Sequence, residues 1–259
     1  MQTAEIRSSF EATGVVRIGG AFTAEQAAAM RDAVWRHAER QAGLRPGDPA
    51  SWAASAVLSW KGLKRHPAFG SLADNQPVTD ALDQIFGTGG WQRPRPGAQI
   101  LFSLPEPAPW VLPDGWHMDC GFENATWPVR SVKLFAFIGE VGPRGGGTML
   151  LPGTHRLMDR YREGLAAPAG AGKENWRPFM RHYPWLARLL DGAGLPDHGR
   201  PLVGQAGEID GVPVQVVELT GSPGDVVVTH LHVFHTRSPN TTAVPRLMLG
   251  KEISRTGET

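Results

Sequence analysis

The 259-residue chain contains one cysteine, Cys120. That rules out an intrachain disulfide framework and a thiolate zinc cluster, and it fits a reducing compartment. Charge of one sign is also lacking, since 26 Lys and Arg face 25 Asp and Glu for a formal net charge of +1. Nucleic-acid binding needs a cationic surplus to neutralise phosphates, so it is not expected here. No stretch approaches the roughly 20 apolar residues of a membrane-spanning helix. Residues 1–14 carry no apolar core of a secretory signal. The expectation is a cytoplasmic protein with a small-molecule substrate and no nucleic-acid or membrane partner.

Hydrophobic residues at 41% and charged residues at 20% suffice to build and solubilise a core. Glycine (32) and proline (22) punctuate the chain too often for a helical bundle and favour short strands joined by turns. Helices are expected early. Thr23 and Gln26 form a capping pattern ahead of a helix over 24–40, in which Ala27, Met30, Val34 and Ala38 make one apolar stripe. A second helix is expected over Pro77 to Phe86, stopped by Gly87. Strands are expected at 14–18, 99–103, 132–138, 148–151, 214–219, 225–229 and 246–253. This pattern predicts one domain over 1–259, mostly β with flanking helices. Its helical part covers about 1–95 and a jelly-roll core about 96–255. Residues 154–190 interrupt the strands with seven Arg and Lys against three carboxylates. That insertion is a candidate lid, suited to an anionic substrate.

The chemistry concentrates in Trp116-His117-Met118-Asp119, because alternate residues of an extended segment point the same way and His117 and Asp119 can meet one metal ion. A third ligand is needed, and the segment from Gly224 to Asn240 offers His230, His232 and His235. Two histidines and one carboxylate on one face of an octahedral ion form the facial triad of non-haem iron(II) oxygenases, which leaves positions open for cosubstrate and dioxygen. Arg246 follows His235 by eleven residues, at the start of the next expected strand. A hairpin would return it to the site, where a guanidinium can hold a carboxylate by two parallel hydrogen bonds.

Together with Gly146 to Arg156 and Pro239-Asn240, these segments resemble the phytanoyl-CoA dioxygenase family of iron(II)- and 2-oxoglutarate-dependent oxygenases. The resemblance spans most of the chain. It implies a double-stranded β-helix, with His117, Asp119 and His235 as metal ligands and catalytic centre, Fe(II), 2-oxoglutarate and O2 as cofactor and cosubstrates, and Arg246 on the 5-carboxylate of 2-oxoglutarate. It further implies that Gln99 and Phe135 border the cosubstrate. The expected outcome is hydroxylation of an unactivated C–H bond with release of succinate and CO2. The presence of Asp119 speaks against halogenation, since related halogenases lack this carboxylate. Arg237 stands where some members carry a small hydroxyl residue. The rival reading is a cupin-like isomerase or binding protein using His230 and His232, but it leaves His117, Asp119 and Arg246 without a role.

Overall fold

The apolar stripe Ala27, Met30, Val34 and Ala38 is the buried face of helix α2 (Ala24–Ala42), the second after α1 (Thr3–Thr13). The expected capping box opens α2: Gln26 N–H donates to the Thr23 hydroxyl at 3.1 Å, and Thr23 N–H donates to the Gln26 side chain at 2.8 Å. Gly43 ends it at φ 68°, where a side chain would be strained. After the short α3 (Pro49–Trp52), helix α4 (Gln76–Phe86) begins one residue ahead of Pro77. Asn75 is the reason, accepting from Val78 N–H at 3.0 Å. Helix α1 has too few apolar positions to be foreseen. The computed structural model describes residues 3–52, 58–72, 74–94, 97–121, 124–164 and 176–257.

The strands are β1 (Val15–Ile18), β2 (Gln99–Ser103), β3 (Ser131–Phe137), β4 (Thr148–Leu151), β5 (Ala206–Ile209), β6 (Val212–Gln215), β7 (Val217–Glu218), β8 (Val226–His230), β9 (Phe234–Arg237) and β10 (Arg246–Ser254). A five-stranded antiparallel sheet runs β1-β8-β3-β10-β2, a three-stranded one runs β7-β4-β9, and β5-β6 is a hairpin. The two larger sheets make the expected jelly roll with flanking helices. The strand expected over 214–219 is broken into β6 and β7. Strand β9 was not among the expected strands: the strand expected over 225–229 is β8, and the turn at 231–233 that precedes β9 is made of Leu231, His232 and Val233, none of them a turn former.

Alternation along the strands sorts side chains into three layers. Ile100, Val132, Leu134, Val228 and Leu249 face outward from the large sheet and pack on α2 and α4. Leu101, Phe135, Phe137, Val227 and Met248 face inward, meeting Leu150, Leu219 and Val233 across the barrel. Met149, Leu151 and Phe234, on the outer face of the small sheet, are covered by α5 (Thr154–Glu163), α6 (Trp176–His182) and α7 (Pro184–Ala187). There Phe179 stacks on Phe234 at 5.1 Å between ring centroids. The described part of 154–190 thus packs on the small sheet, and residues 165–175 of that expected lid lie outside the described residues. Arg160 and Arg162 in α5 donate to the carbonyls of Asp210 and Asn124. Among the described residues no helix is long and apolar enough to cross a membrane.

Strand β4 is laid tightly on the neighbouring chain, since a Cβ on Gly147 would run into the Leu219 carbonyl. Gly147→Ala should therefore destabilise the fold by about 2 kcal/mol or more. Gly194→Ala, which meets open space, should stay within about 0.5 kcal/mol of the parent. Urea denaturation of the two variants checks this contrast.

Candidate metal centre

His117 and His235 pair directly across two antiparallel segments: His117 N–H donates to His235 O at 2.9 Å and His235 N–H to His117 O at 2.8 Å. Residues that exchange both backbone bonds carry their side chains on one face. The two rings accordingly lie 4.3 Å apart between centroids. Each ring is also fixed at its far nitrogen. His117 Nδ1 lies 3.0 Å from Gly115 O, and His235 Nδ1 lies 3.2 Å from Val233 O. A carbonyl can only accept, so these contacts put the proton on Nδ1 and leave both Nε2 lone pairs free for a cation.

Asp119 completes the set two residues along from His117, its N–H donating to Leu231 O at 3.3 Å. One ligand atom each from His117, Asp119 and His235 fall within 4.8 Å of one another, the only such group of three or more among the described residues. Asp119 Oδ2 stands 3.6 Å from His235 Nε2 and 3.1 Å from Lys133 Nζ, the latter an ion-pair distance outside hydrogen-bond geometry. A buried carboxylate oxygen without a hydrogen bond, facing two imidazole nitrogens, suits a first-row divalent cation. Burial drives the His235 pKa down to about 4, against the pull of Asp119, so its ring is neutral at physiological pH. For Asp119 burial acts upward, but His235, Lys133 and His117 outweigh it and its carboxyl titrates below the ordinary aspartate value.

Farther into the barrel, β10 carries Arg246, buried between the sheets, with Nη1 donating to Gly146 O at 2.6 Å. Burial first, and then Arg237, lower its pKa to about 10, which leaves it charged at neutral pH. Arg237 itself pairs with Glu106 at 2.8 Å. Gln99 and Phe135 lie on either side of Gly250 in the sheet register. Both belong to the inward row, with the Phe135 ring 6.0 Å from that of His235. The structure therefore brings all six expected site residues to the barrel interior or its rim. Sequence reasoning overlooked Lys133, although it precedes Phe135 by two on one strand and alternation alone places it on the same face.

His230 and His232 do not join this group. A turn at 231–233 divides β8, which ends at His230, from β9, which carries His235, so His230 precedes that turn and His232 sits within it, both apart from the metal ligand candidate. His230 Nε2 meets Thr126 O at 3.0 Å, while His230 Nδ1 accepts from His232 N–H at 3.1 Å. His155 Nε2 meets Glu11 O at 3.2 Å, and its ring lies 5.2 Å from that of His230. These rings lock α1, α5 and the turn before β9 together. Burial lowers all three pKa values, to about 3 for His155, about 4 for His230 and about 3 for His232.

Comparison with known proteins identifies the family and the fold. The sequence profile described as phytanoyl-CoA dioxygenase (PhyH) matches residues 10–248. Among solved structures, AviO1 from Streptomyces viridochromogenes Tue57 is similar at 16% identity and a TM-score of 0.56, covering 100% of this chain and 97% of that one. SnoN, a non-haem alpha-ketoglutarate-dependent epimerase from nogalamycin biosynthesis, is similar at 14% identity and a TM-score of 0.53, over 97% of this chain and 80% of its own. SnoK, a non-haem alpha-ketoglutarate-dependent carbocyclase from the same biosynthesis, is similar at 16% identity and a TM-score of 0.50, over 98% and 84%. At these identities the likeness is one of fold. No curated protein matches the chain significantly.

Two outcomes are expected. Asp119→Ala should weaken binding of Fe(II) or Mn(II) to the metal-free protein at least about a hundredfold by calorimetric titration, because it removes the only anionic donor of the set. The buried histidines predict acid sensitivity. Their folded pKa values lie below the unfolded value, so stability is complete above about pH 6.5 and falls as pH drops toward 4. Each of the three contributes up to about 1.4 kcal/mol per pH unit in that window. His232→Gln should flatten the decline by one proton's worth in denaturant unfolding at pH 7 and pH 5.

Proposed function

We propose, for a chain that belongs to the phytanoyl-CoA dioxygenase family, that it hydroxylates an unactivated C–H bond of a small-molecule substrate, with Fe(II) and 2-oxoglutarate as its requirements. The family implies both, and the donor set of His117, Asp119 and His235 suits the metal. When bound, iron and 2-oxoglutarate together supply the oxidising power, with dioxygen consumed and succinate and CO2 released. The chain's own task is to hold, orient and keep dry. His117 and His235 offer neutral nitrogens whose direction the Gly115 and Val233 carbonyls set. Arg246 would take the remote carboxylate of the cosubstrate, and Gln99 and Phe135 would border its length. Near that end Arg237 and Arg246 face one carboxylate, Glu106, which leaves one positive charge for one ligand carboxylate. Phe137, Val227, Leu150 and Met248 exclude water between the sheets.

The observation that carries this reading is the convergence of two histidines and an aspartate at one end of a barrel that buries a guanidinium farther in. Hydroxylation is preferred because it is the simplest outcome at such a centre. That the similar folds include an epimerase and a carbocyclase marks rearrangement at the same centre as the second reading. A groove of about 410 Å³ beside the site is lined by Lys64, Arg65, Lys133 and Lys251 against Glu252 alone. It favours a substrate bearing negative charge. The single cysteine favours a cytoplasmic setting.

Without oxygen, adding Fe(II) and 2-oxoglutarate to the metal-free protein should produce the broad visible charge-transfer band of a chelated 2-oxo acid. With oxygen, succinate should form. If neither appears the oxygenase assignment fails. Arg246→Ala should raise the 2-oxoglutarate concentration that half-saturates the band by at least about tenfold, and an unchanged titration would remove Arg246 from the cosubstrate site.

A further inference from the structure

The turn at 61–65 belongs to the helical part of the chain yet ends against the barrel. Leu63 N–H and Lys64 N–H both donate to Trp60 O, at 3.0 and 3.1 Å, and His66 N–H donates to Leu63 O at 2.8 Å. Leu63 is buried beneath the turn. Ala98 N–H, at the approach to β2, donates to Lys64 O at 2.8 Å, and a Cβ on Gly97 would lie 2.5 Å from that same carbonyl. The main chain at Lys64 is therefore pinned, while the Lys64 and Arg65 side chains are exposed at the rim of the groove of about 410 Å³.

Within the groove Gly250 keeps the floor low. A Cβ there would stand 3.2 Å from the Gln99 side-chain oxygen and 3.3 Å from Lys133 Cε. Gln99, Gly250 and Lys133 share the inward row, and Lys133 Nζ ends 3.1 Å from Asp119 Oδ2. One end of the groove thus reaches the donor set, and two adjacent cations border the other. Lys133 has Asp119 as its counterion. Lys64 and Arg65 have no carboxylate at ion-pair distance among the described residues. Like charges held side by side repel, and a bound anion relieves that repulsion. A guanidinium fork beside an ammonium point charge suits an oxyanion.

We propose that Lys64 and Arg65 are specificity-determining residues that grip the anionic group of the substrate, a carboxylate or a phosphate monoester, while the rest of the substrate extends past Gly250 toward His117, Asp119 and His235. This rests on the oxygenase reading above and adds to it the residues that select the substrate. The helical part of the chain, rather than the barrel, then supplies that selection. Exposed cations contribute modestly one by one, so the discrimination against a neutral analogue comes from the pair.

The test loads the protein with Mn(II) and 2-oxoglutarate without oxygen, titrates in hexanoate, hexyl phosphate or hexanol, and follows the proton relaxation that bound manganese induces in each. The expected result is saturable relaxation of at least one of the two anions and none of hexanol, with the tighter anion identifying the head group. In the double variant Lys64→Ala/Arg65→Ala that anion should bind about tenfold more weakly at unchanged Mn(II) affinity. Glu252→Gln, which removes the carboxylate among the lining residues, should tighten it about twofold. The proposal is overturned if neither anion binds, if hexanol binds as well, or if the double variant holds the anion as tightly as wild type. A parallel loss of Mn(II) affinity also overturns it, making the pair a support of the fold. A wild-type protein that takes Mn(II) and the anion but no 2-oxoglutarate refutes the oxygenase reading and leaves the anion grip standing.

Discussion

The site depends on one short piece of backbone pairing, the two hydrogen bonds that His117 and His235 exchange. These residues are 118 positions apart in the sequence, and only that bridge makes their rings neighbours. The bond each ring makes at Nδ1 then settles which nitrogen is available, so geometry and tautomer are set by main-chain carbonyls. Side-chain partners could be lost by single substitutions, whereas these acceptors remain under any change at Gly115 or Val233 that keeps the backbone path.

Everything around the bridge serves to keep it still. The interior layer of Phe137, Leu150, Val227 and Met248 lies beneath the site, and two further apolar layers clamp the sheets from outside. The buried trio His155, His230 and His232 holds the turn that leads into β9, joining it to a helix at the start of the chain and to α5. That trio resembles a metal site in composition but serves packing. Its rings face carbonyls, one another and apolar neighbours, with no carboxylate to complete a ligand set among the described residues.

How much of this was legible in the sequence varied with the range of the interaction. Helix α2 was readable because Thr23, Gln26 and the apolar stripe are all local. Asp119 and His117 were readable because period-two spacing places them on one side. Strand β9 was not, since the turn at 231–233 is made of Leu, His and Val, none of which marks a turn by composition. Lys133 was readable from its spacing to Phe135 but overlooked. The choice of His235 over its two neighbours came from family resemblance, and the three-dimensional arrangement supplies its physical reason: His235 is paired across the strands with His117, whereas His230 is paired with Val132.

Lys133 has a consequence for how the centre is assembled. Its ammonium rests against Asp119 at 3.1 Å and balances the charge of that carboxylate. The same side chain lines the groove that Lys64, Arg65 and Lys251 also border, so one residue joins the donor set to the cationic surface next to it, and a change at Lys133 would be felt on both sides at once.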